Sequence, residues 1–197
     1  MKVCCLDLEG VLVPEVWIEF AETTGIKELR LTTRDIQDYD KLMKYRLEIL
    51  KKRGITLKDI QAVIAKIKPL KGALTFLKEL QSKRQVIILS DTFYEFAEPL
   101  MRQLDFPTLF CHYLEVDKKG YVSGYRLRQK NSKQKAVEAL RKLNFTIHAA
   151  GDSYNDIPML KTADKGILFN PPPKIAGEYP QFPVAKSYKS LMAKLLA

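Results

Sequence analysis

The chain has 197 residues, 46% of them hydrophobic, and carries a formal net charge of +10. That length and apolar share exclude a disordered or fibrous chain and suggest one domain with an insert. No stretch approaches the roughly 20 apolar residues that a membrane helix needs, and the Lys and Arg residues are spread along most helical patterns with acids between them, so neither a membrane nor a nucleic acid is expected as partner, only a bias toward anionic substrates.

Residues 2–6 read as a short buried strand. The apolar run Val3-Cys4-Cys5-Leu6 gives way to Asp7 and Glu9 and lacks the extended apolar region and small-residue cleavage site of an export signal, so a cytoplasmic location is expected. Cys4 and Cys5 are adjacent in that strand and Cys111 has no obvious partner, so all three read as core thiols.

Residues 14–69 carry no strand signal. Pro14 is expected to open a helix through Thr23, residues 38–52 form a second, and Thr56-Leu57-Lys58-Asp59 caps a third. This stretch, ending at Pro69, reads as an all-helical cap inserted after the first strand, which leaves residues 1–13 and 70–197 as an α/β core. In that core, strand patterns at 85–89, 146–150 and 166–169 alternate with helical ones at 93–104, 133–143 and 155–161, as in a Rossmann-like parallel sheet with helices on both faces. Residues 108–117 and 121–127 flank a Lys118-Lys119-Gly120 turn and read as a β-hairpin, serving either as a flap or as the contact of a homodimer.

In an open α/β sheet, ligands collect at the carboxyl ends of the strands. The first strand ends in Asp7-Leu8-Glu9-Gly10-Val11, two carboxylates two positions apart, of which one can attack phosphorus while the other handles the proton. The second ends in Leu89-Ser90-Asp91, where a short hydroxyl and free backbone amides can donate to phosphate oxygens. The third ends in Gly151-Asp152-Ser153-Tyr154-Asn155-Asp156, whose carboxylates suit a hard, oxygen-seeking cation such as Mg²⁺. Singly, each reads as well as a turn acid, a helix cap or a plain strand-to-helix loop; together, at three strand ends, they point to phosphoryl transfer.

The ordered set Asp7 and Glu9, Ser90, Lys133, and Gly151-Asp152 with Asp156 resembles the haloacid dehalogenase-like phosphohydrolase superfamily, and does so over essentially the whole chain. The resemblance implies that Asp7 is the nucleophile, that Glu9 is the general acid and base, and that Lys133 neutralises the charge between Asp7 and phosphate. It implies Mg²⁺ held by Asp7, Glu9 through its backbone carbonyl, and Asp152, with Asp156 supporting the shell and Ser90, Asp91, Lys133 and Asn155 on the phosphate. Glu9 departs from the Asp usual at that place, and its extra methylene bears on water activation.

The helical insert resembles that of the phosphoserine phosphatases. Within them, Cys5-Leu6-Asp7-Leu8-Glu9-Gly10-Val11-Leu12-Val13-Pro14-Glu15 and Leu89-Ser90-Asp91-Thr92-Phe93-Tyr94-Glu95-Phe96 are similar to the members that also pass phosphate to homoserine. This implies O-phospho-L-serine as substrate and homoserine as a second acceptor, with Glu15 on the amino group and Arg46 on the carboxylate, a pairing that suits both side chains. A sugar phosphate or nucleotide is the alternative substrate. His112 and His148 lie outside the motifs and read as structural, and Trp17 and Phe20 as packing within the insert.

Overall fold

The computed structural model describes residues 1–32, 35–36 and 38–197. Three residues of the expected helical insert, Thr33, Arg34 and Gln37, lie outside these described residues. The core strands are β1 (Lys2–Leu6), β2 (Gln85–Phe93), β3 (Leu109–Val116), β4 (Val122–Arg126), β5 (Thr146–Gly151), β6 (Lys165–Phe169) and β7 (Val184–Ala185). They form one sheet in the order β4-β3-β2-β1-β5-β6-β7, parallel throughout except for the β3-β4 hairpin.

Side chains alternate across a strand, so β1 feeds two cores: Cys4 and Leu6 join one apolar cluster, Val3 and Cys5 the other. Both faces are therefore covered, as the continuous apolar strand runs lead one to expect. All three cysteines are buried and unbonded. Burial pushes the Cys4 and Cys5 thiols up to about 11 and about 12, which makes them inert packing groups.

After β1 come α1 (Val16–Thr24), α2 (Tyr39–Lys52) and α3 (Leu57–Ile64). Helix α1 begins two residues later than Pro14, with Glu15 at its N-cap position. Asp38 caps α2 by accepting from the Lys41 amide, and Thr56 with Asp59 forms the expected capping box of α3. The apolar faces of these helices do not make a core of their own. Val16, Trp17, Phe20, Met43, Ile60 and Ile64 belong to the same cluster as Leu6, Phe93 and Phe96.

Helix α3 packs on α5 (Tyr94–Gln103), and one hydrogen bond explains the fit. Pro99 inside α5 cannot donate to the Glu95 carbonyl, and Gln61 Nε2 of α3 donates to it instead at 2.9 Å. The β3-β4 hairpin supports the insert from another side. The Leu57 amide donates to the Gly120 carbonyl at 2.8 Å, the Tyr125 hydroxyl bonds Asp40, and the Tyr39 and Tyr125 rings meet edge to face.

The remaining helices are α4 (Ala73–Gln81), α6 (Ser132–Lys142), α7 (Ile157–Thr162), α8 (Pro173–Glu178) and α9 (Tyr188–Leu196). Strand β2 runs four residues past Leu89, through a bulge against β3 between Leu89 and Phe93. Phe93 accordingly ends this strand instead of opening the next helix. A bulge re-aims side chains, and this one falls on Ser90, Asp91 and Thr92.

Candidate active site

The carboxyl ends of β1, β2 and β5, the first turn of α6 and the insert helices surround one cavity, lined among others by Asp7, Glu9, Glu15, Arg46, Ser90, Asp91, Lys133, Asp152 and Asn155. The residues expected to react, to bind substrate or to hold the metal therefore border the same space, with Asp156 buried behind it.

Its floor is an ionic cluster. The Lys133 ammonium, only 6% exposed, lies 2.8 Å from Asp7 Oδ1 and 2.7 Å from Asp156 Oδ1, with Asp91 Oδ2 at 4.0 Å. Neighbouring Lys135 instead pairs with Glu138 on the exposed face of α6. One ammonium thus serves three carboxylates. Burial works to lower the Lys133 pKa, but Asp156, Asp7 and Asp91 outweigh it and hold Lys133 well above the ordinary lysine range. Asp7 is pushed well above the carboxylate range, first by burial and then by Asp156, since the shared cation does not offset both.

Asp156 is fully buried and saturated. Its second oxygen accepts from the Asp152 and Ser153 amides at 3.0 and 3.1 Å and from the Ser153 hydroxyl at 3.2 Å. Asp7 Oδ1 is occupied too, by Lys133 and by the Leu8 amide at 2.7 Å, so among the described residues Oδ2 is the oxygen left without a partner. Gly10 adopts a left-handed φ of +75°, and a Cβ there would come within 2.5 Å of the Asp152 carboxylate. Only glycine lets Asp152 approach the β1 loop so closely.

Carboxylate oxygens of Asp7, Asp152 and Asp156 lie within 4.8 Å of one another. Burial, with Asp156 and Glu15 next, pushes Asp152 up to about 7. An oxygen-only donor set carrying more negative charge than Lys133 offsets fits a hard divalent cation.

Ser90 is buried at the β2 bulge, its Oγ accepting from the Thr92 amide at 3.2 Å, and Asn155 sits exposed at the rim. Asp91 sits at the edge of this cluster: while its Oδ2 faces Lys133, its Oδ1 accepts from Ser132 Oγ at 3.1 Å and lies 3.5 Å from His112 Nε2. Burial works to raise the Asp91 pKa, but Lys133 and His112 hold it below the usual range. The Arg128 amide donates to His112 Nδ1 at 3.1 Å, which leaves Nε2 as the protonated nitrogen facing Asp91. His112 thereby pins the bulge to β3, a role no motif signals. His148 fits its structural reading, its Nδ1 lying 2.6 Å from the Leu195 carbonyl.

The opposite wall comes from the insert. Glu9 Oε2 accepts from the Val16 amide at 3.1 Å, the N-terminus of α1, and burial with Glu15 next pushes Glu9 up to about 7. Arg46 is 6% exposed and stacks over the Trp17 ring at 4.4 Å, a cation–π contact worth ~2 kcal/mol when desolvated. Its Nη2 donates to the Leu31 carbonyl at 2.7 Å, while its Nε is buried with no partner among the described residues. Burial pulls Arg46 down to about 10. Tyr39, whose hydroxyl donates to the Asp91 carbonyl at 3.2 Å, and Trp17 are among the lining residues that sequence reasoning passed over. Helical spacing marked Trp17 only as packing.

Known proteins are similar to this chain in sequence and fold. The family model of the haloacid dehalogenase-like hydrolases matches residues 1–164. The phosphoserine phosphatase ThrH of Pseudomonas aeruginosa is 57% identical over all of this chain and 96% of its own length. The phosphoserine phosphatase of Pseudomonas syringae pv. tomato is 56% identical over all of this chain and 83% of its own. A solved substrate-bound phosphoserine phosphatase superposes with a TM-score of 0.78, covering 100% of this chain and 98% of that one; at 20% identity it speaks for the fold.

Proposed function

The chain belongs to the haloacid dehalogenase-like hydrolases, and from that premise we propose that it is a Mg²⁺-dependent phosphatase of O-phospho-L-serine working through an aspartyl-phosphate on Asp7. The observation that carries the substrate is Arg46: a buried guanidinium with a free Nε, no carboxylate at ion-pair distance among the described residues, and Glu15 on the same cavity. A phosphomonoester bearing both a carboxylate and an ammonium would satisfy both groups. The relatives that match the chain end to end carry the name phosphoserine phosphatase.

On this reading, residues 14–69 are a cap over the core. The substrate carboxylate pairs with Arg46 and its ammonium with Glu15, which sets the phosphorus over Asp7. Asp7 Oδ2 attacks in line while Lys133 and Ser90 hold the charge on the phosphoryl oxygens. Glu9 gives its proton to the departing serine oxygen and then takes one from the incoming nucleophile, a task that a carboxyl near 7 suits. Mg²⁺ would be held by Asp7, Asp152 and the Glu9 carbonyl, and when bound it neutralises phosphate charge. Asp156 fixes Lys133 and the Asp152 loop instead of reacting. Asp91 serves as an anchor of the bulge that presents Ser90, and Asn155 reaches the phosphate from the rim.

We further propose homoserine as a second acceptor. Glu9 is held by the α1 N-terminus, so the geometry of the insert helps to decide whether water or an alcohol is deprotonated. Phosphate release from O-phospho-L-serine, measured with Mg²⁺ and with EDTA, tests the first proposal. Phosphohomoserine formation on adding homoserine tests the second. Turnover that persists undiminished in EDTA would overturn the metal assignment.

A further inference from the structure

We propose that Trp17 is a positioning residue that makes the cavity selective for carboxylate-bearing phosphomonoesters, by holding the Arg46 guanidinium in one plane before substrate arrives. This rests on the reading of Arg46 as the partner of the substrate carboxylate. The argument starts from an imbalance: Arg46 is buried, yet among the described residues no carboxylate lies at ion-pair distance to compensate it. A cation in that position needs other support, or it turns toward solvent or toward the nearest acid.

The structure supplies that support from three directions. The indole face of Trp17 lies 4.4 Å from the guanidinium carbon, the Leu31 carbonyl takes Nη2 at 2.7 Å, and Met43 Sδ lies 3.9 Å from Nη1. Trp17 is itself locked, with its ring 5.0 Å from Phe96 and 6.2 Å from Phe20. Both Trp17 and Arg46 line the cavity that holds Asp7. A planar, delocalised cation stacked on a fixed ring keeps one orientation, so its unsatisfied edge is aimed before binding and little ordering is left to do when a carboxylate docks. The stack also keeps Arg46 from swinging to Glu9 or Glu15, whose charges favour its ionised form.

The test compares kcat/KM for O-phospho-L-serine and for O-phosphoethanolamine, which lacks the carboxylate, in wild type, Trp17→Leu and Trp17→Phe, and repeats Trp17→Leu in an Arg46→Ala background. Trp17→Leu should lower kcat/KM for O-phospho-L-serine about tenfold, mainly through KM, and leave O-phosphoethanolamine within about twofold. Trp17→Phe, which keeps an aromatic face and the packing, should fall between. In the Arg46→Ala background the Trp17→Leu loss should vanish, because the two residues act as one unit.

Equal losses on both substrates, or a loss that persists without Arg46, would reduce Trp17 to a packing residue and overturn the inference. Undiminished discrimination in Trp17→Leu would overturn it as well. If Trp17→Leu does not fold, the same comparison is read from Trp17→Phe. A wild type that does not prefer O-phospho-L-serine sinks the substrate reading and this inference with it, an outcome distinct from the others because it appears without any Trp17 substitution.

Discussion

At the strand ends Lys133 lies within 2.8 Å of Asp7 and Asp156, and Asp156 takes three further donors, whereas across the cavity Arg46 is buried beside an aromatic ring with its Nε unpaired. The floor's cation is paired without a ligand; among the described residues, the wall's is not. Strands fixed by ladders on both sides can hold an ionic cluster in low dielectric, where its members strengthen one another. The wall rests on helices that share the core's apolar cluster but reach the cavity through a few long side chains. Under the proposed function, charge handling at phosphorus falls to the floor and recognition of the rest of the substrate to the wall.

The comparison breaks most sharply at Asp7. Asp7→Asn should remove phosphate release from O-phospho-L-serine by at least about 10⁴-fold, as loss of a nucleophile does, with the fold intact by circular dichroism. Residual turnover near wild type would mean that the floor does not supply the nucleophile.

Lys133→Ala should lower kcat by roughly 10²- to 10³-fold. It should also cost several kcal/mol of stability in chemical denaturation, because it leaves two buried carboxyl groups, Asp7 and Asp156, without the cation they share.

Arg46→Ala should behave in the opposite way. The expected loss is about 2–3 kcal/mol in kcat/KM for O-phospho-L-serine, roughly 10²-fold, with little change for O-phosphoethanolamine. Stability should fall less than in Lys133→Ala: the Trp17 stack and the Leu31 hydrogen bond are lost, but among the described residues no ion-paired carboxylate is stranded. A large drop in melting temperature would show that the wall is as closely paired as the floor.

The smallest effect concerns pH and metal. Asp152 is raised to about 7 and Asp7 is raised too, so in the folded, metal-free protein these carboxyls hold protons that the unfolded chain releases near 4. Their contribution is most favourable below that pH and is lost as pH rises to about 7. A cation binds the deprotonated pair, so Mg²⁺ should raise the melting temperature more at pH 8 than at pH 5. Equal shifts at both pH values would argue against these carboxylates as its ligands.

Much of this was legible in local pattern. The strands that end in Asp7, Ser90 and Asp152 are short apolar runs followed by polar residues, and a parallel sheet buried on both faces follows from them. The capping box at Thr56 was equally local. Strand β7 could not be read, because two residues carry no periodicity. The four added residues of β2 were hidden because a bulge breaks alternation just where the functional residues sit.

At the site, Lys133 illustrates the limit. Lys130, Lys133 and Lys135 are chemically alike in the sequence, and only resemblance singled out the second; the structure buries it between two acids while Lys135 pairs on the surface. The Asp91 carboxylate accepts from Ser132 and faces His112, a direction set by the neighbouring strand at the bulge; this bears on the side chain and not on the backbone amides expected to meet the phosphate. Trp17 was read as packing, and its contact with Arg46 joins α1 to α2, helices that are not adjacent in sequence.

The sequence by itself determined the fold class, the three acidic or hydroxyl-bearing strand ends and the chemistry they suit, because strand alternation and loop chemistry are short-range. Tertiary structure alone decided which lysine is buried, which oxygen of Asp7 is left without a partner among the described residues and how Arg46 is held, because each depends on groups far apart in the chain meeting where water is excluded and a single unpaired charge is costly.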